Sequence, residues 1–381
     1  MTYAYIFWVA TALVLYAYAF YPLLMAIAAR LIGRPINHSG HFQGSVSIVV
    51  AAYNEEKTIA RRVRELCGLI RAANLPAEMI VVSDGSTDQT AQIARQQESD
   101  FLRVIEQTAN MGKAAALNAG VAGAKGDIII FGDSRQRWAD DVLEKLLRNF
   151  SDASVGAVGG QLICESAPGV MAGVGLYWKY EKWLRKQESA VHSTVGLSGS
   201  ISAVRRELFT PLPEGINLDD VCWPMHVTRS GFRVVHEEEA IAFDRLPERA
   251  RDEFRRKVRT LSGNFQLALR CPWVLLPFLN PIWFQFLSHK MLRLAVPWAL
   301  LAMLISSAMA QGNFYRAALV AQILFYVLAI IGIRGKAKVR LAGAAGSFLV
   351  LNTAAWVGFW IWISGRSGRS WSKVAYSRGT V

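Results

Sequence analysis

The sequence predicts an α/β domain with a mostly parallel sheet, set between transmembrane helices. Three observations predict it. Short β-branched runs alternate with helical stretches through the middle of the chain. Those runs are apolar without alternation, as in strands covered on both faces. The longest apolar stretches lie at the two ends, with a polar middle between them.

The 381 residues are 52% hydrophobic, and the formal net charge is +13. A basic excess suits nucleic acid, anionic lipid or an anionic substrate. The basic residues border apolar runs and no nucleic-acid motif is present. Membrane lipids and a phosphorylated substrate are therefore favoured over nucleic acid. Cys67, Cys164, Cys222 and Cys271 show no CxxC spacing. Nothing in that spacing points to a disulfide framework or a zinc site, and a reducing cytosolic face is the natural home.

Residues 1–34 read as an amino-terminal anchor. Ile6–Ala28 is apolar and uncharged, and about 20 residues suffice to span the hydrocarbon core. A signal peptide would place its basic residues before the run. Here Arg30 and Arg34 follow it, so its carboxyl end faces the cytoplasm.

Residues 45–270 read as one α/β domain. Val46–Ala52 is a strand ending at Tyr53-Asn54-Glu55-Glu56, and a helix over 58–71 follows. Met79–Val82 is a second strand, ending at Ser83-Asp84-Gly85-Ser86-Thr87-Asp88, where Asp88 reads as a helix cap. Leu102–Ile105 is a third. Asn110-Met111-Gly112-Lys113 opens a helix through Gly120. Ile128–Phe131 is the fourth strand and runs into Gly132 and Asp133. Asp133 thus stands at the carboxyl end of a strand, where ligands bind in open α/β sheets.

Beyond Phe150 the pattern loosens. Val155–Val158 and Gln161–Cys164 read as two strands, and Val174–Val191 as a helix with Tyr177, Tyr180 and Trp183/Leu184 on one stripe. Ordinary packing fits that stripe, and so does a surface for an acceptor or the membrane interface. Thr194–Ser202 is a small-residue loop. Asn217-Leu218-Asp219-Asp220 precedes a helix starting near Val221. A basic segment follows, with Arg249, Arg251, Arg255, Arg256, Lys257 and Arg259.

Residues 271–290 read as interfacial helices, because Pro272, Pro277 and Pro281 interrupt an aromatic stretch. Residues 291–364 form a carboxyl-terminal transmembrane region of two to three spans. Leu292–Ala310 and Phe314–Ile333 are clear spans. Leu341–Ile363 is long enough for another, but Arg334, Lys336, Lys338 and Arg340 precede it and Arg366, Arg369, Lys373 and Arg378 follow. Either it is re-entrant or it crosses against the positive-inside rule, and a fourth crossing is narrowly favoured. Residues 365–381 are a basic tail.

Asp84, Asp133 and the pair Asp219/Asp220 all fall at strand ends or adjacent loops. A nucleotide-sugar transferase needs such a set. One carboxylate reads the nucleoside, one holds a divalent cation on the diphosphate, and one takes a proton from the attacking hydroxyl.

Six signatures occur in order. They are Val49–Glu56, Ser83–Asp88, Gly112-Lys113 with Leu117-Asn118, Gly132-Asp133, Ser198-Gly199 with Arg205-Arg206, and Asp219-Asp220. Together they resemble family 2 glycosyltransferases with a GT-A fold, a Rossmann-like sheet. The flanking spans resemble those of membrane-bound bacterial members, related to cellulose and hyaluronan synthases, that make exopolysaccharide.

The resemblance implies roles. Ala52, Tyr53 and Glu55 would line the nucleoside pocket, and Asp84 would contact uracil or ribose. Lys113 would approach the diphosphate. Asp133 would ligate Mg2+ or Mn2+. Asp220 would be the general base, supported by Asp219. Ser198, Gly199, Trp178 and Trp183 would face the acceptor. The reaction would be an inverting transfer from a UDP-sugar to a glycan or lipid-linked acceptor, at the cytoplasmic face of the bacterial inner membrane.

Three departures from the family pattern matter. Ser83 stands where the nucleotide loop usually has a first aspartate. Arg135 stands where Asp-x-Asp has its second carboxylate, and a guanidinium there would bind phosphate rather than metal. Lys257-Val258-Arg259-Thr260 is the nearest match to Gln-x-x-Arg-Trp. Arg259 would hold the diphosphate, but the acceptor-stacking tryptophan is absent. Single addition to a polyprenyl or glycolipid acceptor is thus one alternative. A catalytically inactive nucleotide-binding membrane regulator is another. With about four spans, a self-made export channel requires a homo-oligomer or an export partner.

Overall fold

The computed structural model describes residues 1–40, 42–97, 99–165, 172–245, 250–334 and 340–365. Arg249, Lys336, Lys338 and all of the basic tail beyond Gly365 lie outside the described residues.

Eight strands form one sheet: β1 (Val46–Ala52), β2 (Ala77–Ser83), β3 (Leu102–Glu106), β4 (Ile128–Asp133), β5 (Arg137–Trp138), β6 (Val155–Glu165), β7 (Ile201–Arg205) and β8 (Arg233–Arg245). Their order is β3-β2-β1-β4-β7-β6-β8-β5. The first four are mutually parallel. β7 runs antiparallel to both β4 and β6, while β8 is parallel to β6 and antiparallel to β5. The parallel sheet expected from the sequence is thus its amino half.

The helices, in chain order, are α1 (Thr2–Leu15), α2 (Tyr21–Ile32), α3 (Ile59–Ala73), α4 (Thr90–Arg95), α5 (Lys113–Ala122), α6 (Val142–Leu147), α7 (Ala172–Val191), α8 (Asp219–Arg229), α9 (Ala250–Arg270), α10 (Trp283–Gln285), α11 (Leu292–Met309), α12 (Asn313–Ile333) and α13 (Arg340–Ile363). Strand side chains alternate between faces, and β1 shows why its run does not alternate in polarity. Ile48, Val50 and Ala52 pack with Val63, Leu66 and Ile70 of α3. Val49 and Ala51 face the other way, with Leu117 of α5 and Val221 of α8. Both faces are core, and each fully buried Val or Ile contributes about 1.5–3 kcal/mol.

Three boundaries differ from the sequence reading. β6 is one strand, with its register against β8 shifting between Gly159 and Gln161. The irregularity at these glycines made it look like two. α8 starts at Asp219, so the acid pair opens the helix rather than preceding it. Of the stretch expected to be interfacial, Pro272–Leu275 forms a short separate turn. From Trp283 it is helical without a break to Met309, because no proline interrupts it again before Pro297.

Among the described residues, four helices are long and apolar enough to cross a membrane: Thr2–Ile32, Trp283–Met309, Asn313–Ile333 and Leu341–Ile363. A buried polar junction ties the first two of them to α7. His289 bonds Glu181 at 3.0 Å and Glu188 at 2.8 Å, both on α7. Tyr21 of α2 donates to Glu188, and Arg293 of α11 pairs with Glu181. Burial alone would raise the Glu181 carboxyl. The adjacent Arg293 and His289 outweigh it and hold that carboxyl well below the usual range.

Candidate active site

The site forms where β1, β2 and β4 end. Gly112, at φ +92°, turns the chain into α5 and leaves Lys113 as the first helical residue. Its ammonium lies 3.0 Å from Asp133 Oδ1 at the end of β4 and 3.4 Å from Asp219 Oδ2 at the start of α8. Two carboxylates from distant segments thus converge on one cation. Burial would lower the Lys113 ammonium, but Asp133 and then Asp219 hold it above its ordinary value. Burial, and then the charge of Asp219, push the Asp220 carboxyl up to about 6.

The loop carrying Ser198 and Gly199 is fixed to this acid pair through the backbone. Pro224, inside α8, has no N–H to give the carbonyl four residues earlier, that of Asp220. Leu197 N–H donates to that carbonyl instead, at 2.9 Å. The bond brings Gly199 against the charged centre. A Cβ at Gly199 would lie 3.0 Å from Lys113 Nζ, 3.6 Å from Asp220 Cβ and 3.7 Å from Asp219 Oδ2. Ser198 is next to it, its hydroxyl 2.8 Å from that of Ser200.

The expected nucleoside loop is rigidly built. Asn54 sits in the left-handed region at φ +54°. Its side-chain oxygen accepts from Thr87 N–H at 2.8 Å, and its own N–H donates to Ser86 Oγ. Tyr53 lies on this loop, half-buried, beyond the fully buried Ala52. Glu55 accepts from Thr58 Oγ1 at 2.6 Å and its N–H donates to Thr90 Oγ1. Asp88 accepts from Thr90 N–H at 3.0 Å, at the start of α4, whose N-cap position is Gln89.

Two sequence-based candidates are engaged within the protein. Asp84 is 0% exposed, and its two oxygens accept from the N–H groups of Met111 and Gly112 at 2.8 Å each. It shapes the loop that presents Lys113. Gly85, at φ +60°, makes this contact feasible, since a Cβ there would lie 2.3 Å from the Asn110 nitrogen. Arg135 is held against Asp244 of β8. Its Nε and Nη2 donate to the two oxygens of Asp244 at 3.1 and 2.9 Å.

The remaining candidates lie further out. Arg259 is exposed on α9, one turn before Gly263, which packs against Asn217 and Leu218. Trp178 lies under the Lys257 ammonium at 5.1 Å, and Trp183 is 40% exposed beside Tyr180. The sequence reading missed Arg185 and Lys290, whose charges act on Asp220. A charged pair interrupting an apolar stretch, His289-Lys290, was the available signal.

Residues 47–211 match the family model described as "Glycosyl transferase family 2". A beta-monoglucosyldiacylglycerol synthase of Nostoc sp. is 33% identical over 187 residues, which cover 46% of this chain and 39% of that protein. A poly-beta-1,6-N-acetyl-D-glucosamine synthase of Staphylococcus aureus is 24% identical over 235 residues, covering 59% of this chain and 56% of that protein. The chain therefore spans well under two thirds of the length of these curated relatives. A mannosyltransferase from Pyrobaculum calidifontis, solved with GDP-Man and Mn2+, shares the fold. It has a TM-score of 0.71 at 24% identity, over 95% of this chain and 99% of that one. The sheet order and the matched family model agree: residues 47–211 match the family 2 glycosyltransferase model, on a sheet with the GT-A fold.

Proposed function

We propose that the protein is an inverting glycosyltransferase that uses a nucleotide-sugar, in the first instance a UDP-sugar. The acceptor is a glycan or lipid-linked molecule at the cytoplasmic face of a bacterial membrane, and the product is exopolysaccharide or another surface glycan. The observation that carries this reading is the convergence of Asp133 and Asp219 on Lys113, with Asp220 beside them.

Asp220 takes the proton of the acceptor hydroxyl. The acceptor oxygen bonds to the anomeric carbon from the face opposite the diphosphate. The carbon–oxygen bond to the diphosphate breaks, and the nucleoside diphosphate leaves with the electron pair. One proton transfer and one displacement balance the step and invert the centre. Lys113 supplies positive charge where the leaving diphosphate gathers negative charge.

A divalent cation fits the donor set. Asp133 faces a position already shared by two carboxylates and a cation, and Mg2+ is commonly held by one or two carboxylates plus substrate phosphates. Asp133 would hold it, with Asp219 nearby, and it would neutralise the leaving group. Arg135 does not compete, being paired with Asp244.

The test is nucleoside-diphosphate release by the purified protein, across UDP- and GDP-sugars, with and without Mg2+ or Mn2+. Release with one donor, lost in excess EDTA and in Asp220→Asn, is expected. No release above background with any donor sinks the reading. Donor binding with no turnover, and unchanged biological output in Asp220→Asn, favours the inactive regulator instead.

Single addition to a lipid-linked acceptor is favoured by one observation. Lys290, on the helix Trp283–Met309, lies close enough to Asp220 for their charges to interact. The base therefore adjoins an apolar helix from which a lipid would approach. Mass spectrometry of products made in lipid vesicles separates one added sugar from a polymer.

A further inference from the structure

Cys222 and His226 lie four residues apart on α8, so both project from one helical face. Cys271 is the first residue beyond α9, forty-nine positions later, and nothing in the cysteine spacing links it to them. The fold brings all three together. The two sulfurs and one ring nitrogen of His226 lie within 4.8 Å of one another. Cys222 is 1% exposed and Cys271 4% exposed. Around them are Trp223, Leu267, Val274, Ile282 and Phe286, all buried. His226 is only partly buried, with its ring 5.0 Å from that of Trp273.

We propose that Cys222, His226 and Cys271 bind a zinc ion that fastens α8 to the junction between α9 and the apolar helix beginning at Trp283. Two thiolates and an imidazole are a zinc donor set. At zinc–ligand distances of about 2.0–2.3 Å, tetrahedral donors stand roughly 3.3–3.8 Å apart. A contraction of about 1 Å or less closes the present triad onto an ion. The fourth position lies on the side of His226, the one ligand open to solvent, and water completes it. The ion replaces two thiol protons, so binding releases them.

The placement gives the site a purpose distinct from the sugar-transfer chemistry. Asp219 and Asp220 open the helix that carries Cys222 and His226. Cys271 precedes the turn Pro272–Leu275, which leads to the apolar segments. The ion would hold the acid pair at a fixed depth relative to the membrane-facing helices. A Cys222–Cys271 disulfide would use the same sulfurs and leave His226 without a role.

The experiment is metal analysis of the full chain, purified in detergent without added zinc or chelator. Stoichiometric zinc is expected. It should persist in Asp133→Asn and be lost in Cys222→Ser and in His226→Gln. Should those variants fail to fold, the wild-type protein suffices: zinc is stripped by chelator and Co2+ titrated in. A thiolate-to-cobalt absorption with tetrahedral d–d bands is expected, with a lower thermal midpoint for the stripped form. Wild-type protein without zinc, in which both cysteines alkylate freely or form a disulfide, overturns the proposal. So does zinc retained by the Cys222→Ser, Cys271→Ser double variant.

Discussion

Arg135 lays its guanidinium against both oxygens of Asp244, bridging the end of β4 to β8. Asp244 is 5% exposed, and Gln136 gives it a further bond at 3.0 Å. The arginine that departs from Asp-x-Asp is therefore a brace of the sheet. Its carbonyl is engaged too, accepting from Arg61.

Arg135→Ala leaves a nearly buried carboxylate with less than its full set of partners. A stability loss of about 2–3 kcal/mol is expected. The donor KM should rise less than about threefold, since uniform donor binding is not removed. Thermal unfolding and donor-saturation kinetics on one preparation check both. A tenfold or larger KM increase with unchanged stability would return Arg135 to the diphosphate.

Pro224 explains why Asp220 O can receive Leu197 N–H. Pro224→Ala restores an N–H that competes for that carbonyl. The helix should tolerate the change, since alanine is the better helix former. The loop carrying Ser198 and Gly199 loosens, and kcat should fall roughly tenfold, because small misplacements near reacting groups are costly. Parallel kcat and unfolding measurements decide. A fall in activity that merely tracks unfolding counts against the tether.

Gly199 tests the crowding of the centre directly. Its missing Cβ would sit 3.0 Å from the Lys113 ammonium, which is the flexible end of a side chain. Gly199→Ala should therefore be tolerated to within about threefold in kcat/KM, whereas Gly199→Val, which adds two methyl groups, should cost 10²-fold or thereabouts. Equal effects of the two would place the glycine outside the reacting space.

His236, on β8, supplies a pH dependence. Its Nε2 is sealed from solvent without a partner. Burial, and then the charges of Arg185, Lys182 and Lys186, push the imidazole down to about 3, against a bond to the Gly159 carbonyl. The folded state thus binds a proton less readily than the unfolded chain, whose histidine titrates near 6.5. Stability is complete above about 6.5 and is lost as pH falls toward 3, by an amount on the order of 4 kcal/mol. Denaturant midpoints between these limits should decline in the native protein. They should decline less in His236→Phe, and an identical slope in both excludes this histidine as the cause.

The sequence carried the sheet's parallel half plainly, because β1, β2 and β4 are covered on both faces and their Val/Ile runs cannot be mistaken for half-buried strands. Asp133, Lys113 and Asp219 were legible too, each standing where an element begins or ends. The internal partners of Asp84 and Arg135 were not. Position at a strand end does not say whether a side chain turns outward to a ligand or inward to the backbone of Met111 and Gly112. Asp244 is 109 residues from Arg135, so no local pattern announces the pair. The same holds for Cys271 and the face of α8.

Gly358 and Gly346 decide how α13 lies. A Cβ at Gly358 would be 3.0 Å from Ser262 N and 3.2 Å from Val258 O, so the end of α13 is flush with α9 of the sheet domain. Phe265 of α9 stacks on Trp362, and Trp298 packs on Trp356. At its other end, a Cβ at Gly346 would meet Ile333 N and Ala329 O, at the close of α12. A helix of 24 residues is about 36 Å long, enough to cross. Yet its last turns rest on the sheet domain, the side to which the basic flanks also assign both of its ends. On the membrane reading proposed above, α13 lies along the cytoplasmic interface instead of crossing. A cysteine at Ser364, which is exposed, should react with an impermeant maleimide in inverted vesicles and stay unlabelled in intact cells. A cysteine at Gln311, between α11 and α12, should show the reverse. Labelling of both positions from the outer side would establish a full crossing and require the packing of Gly358 on α9 to be abandoned.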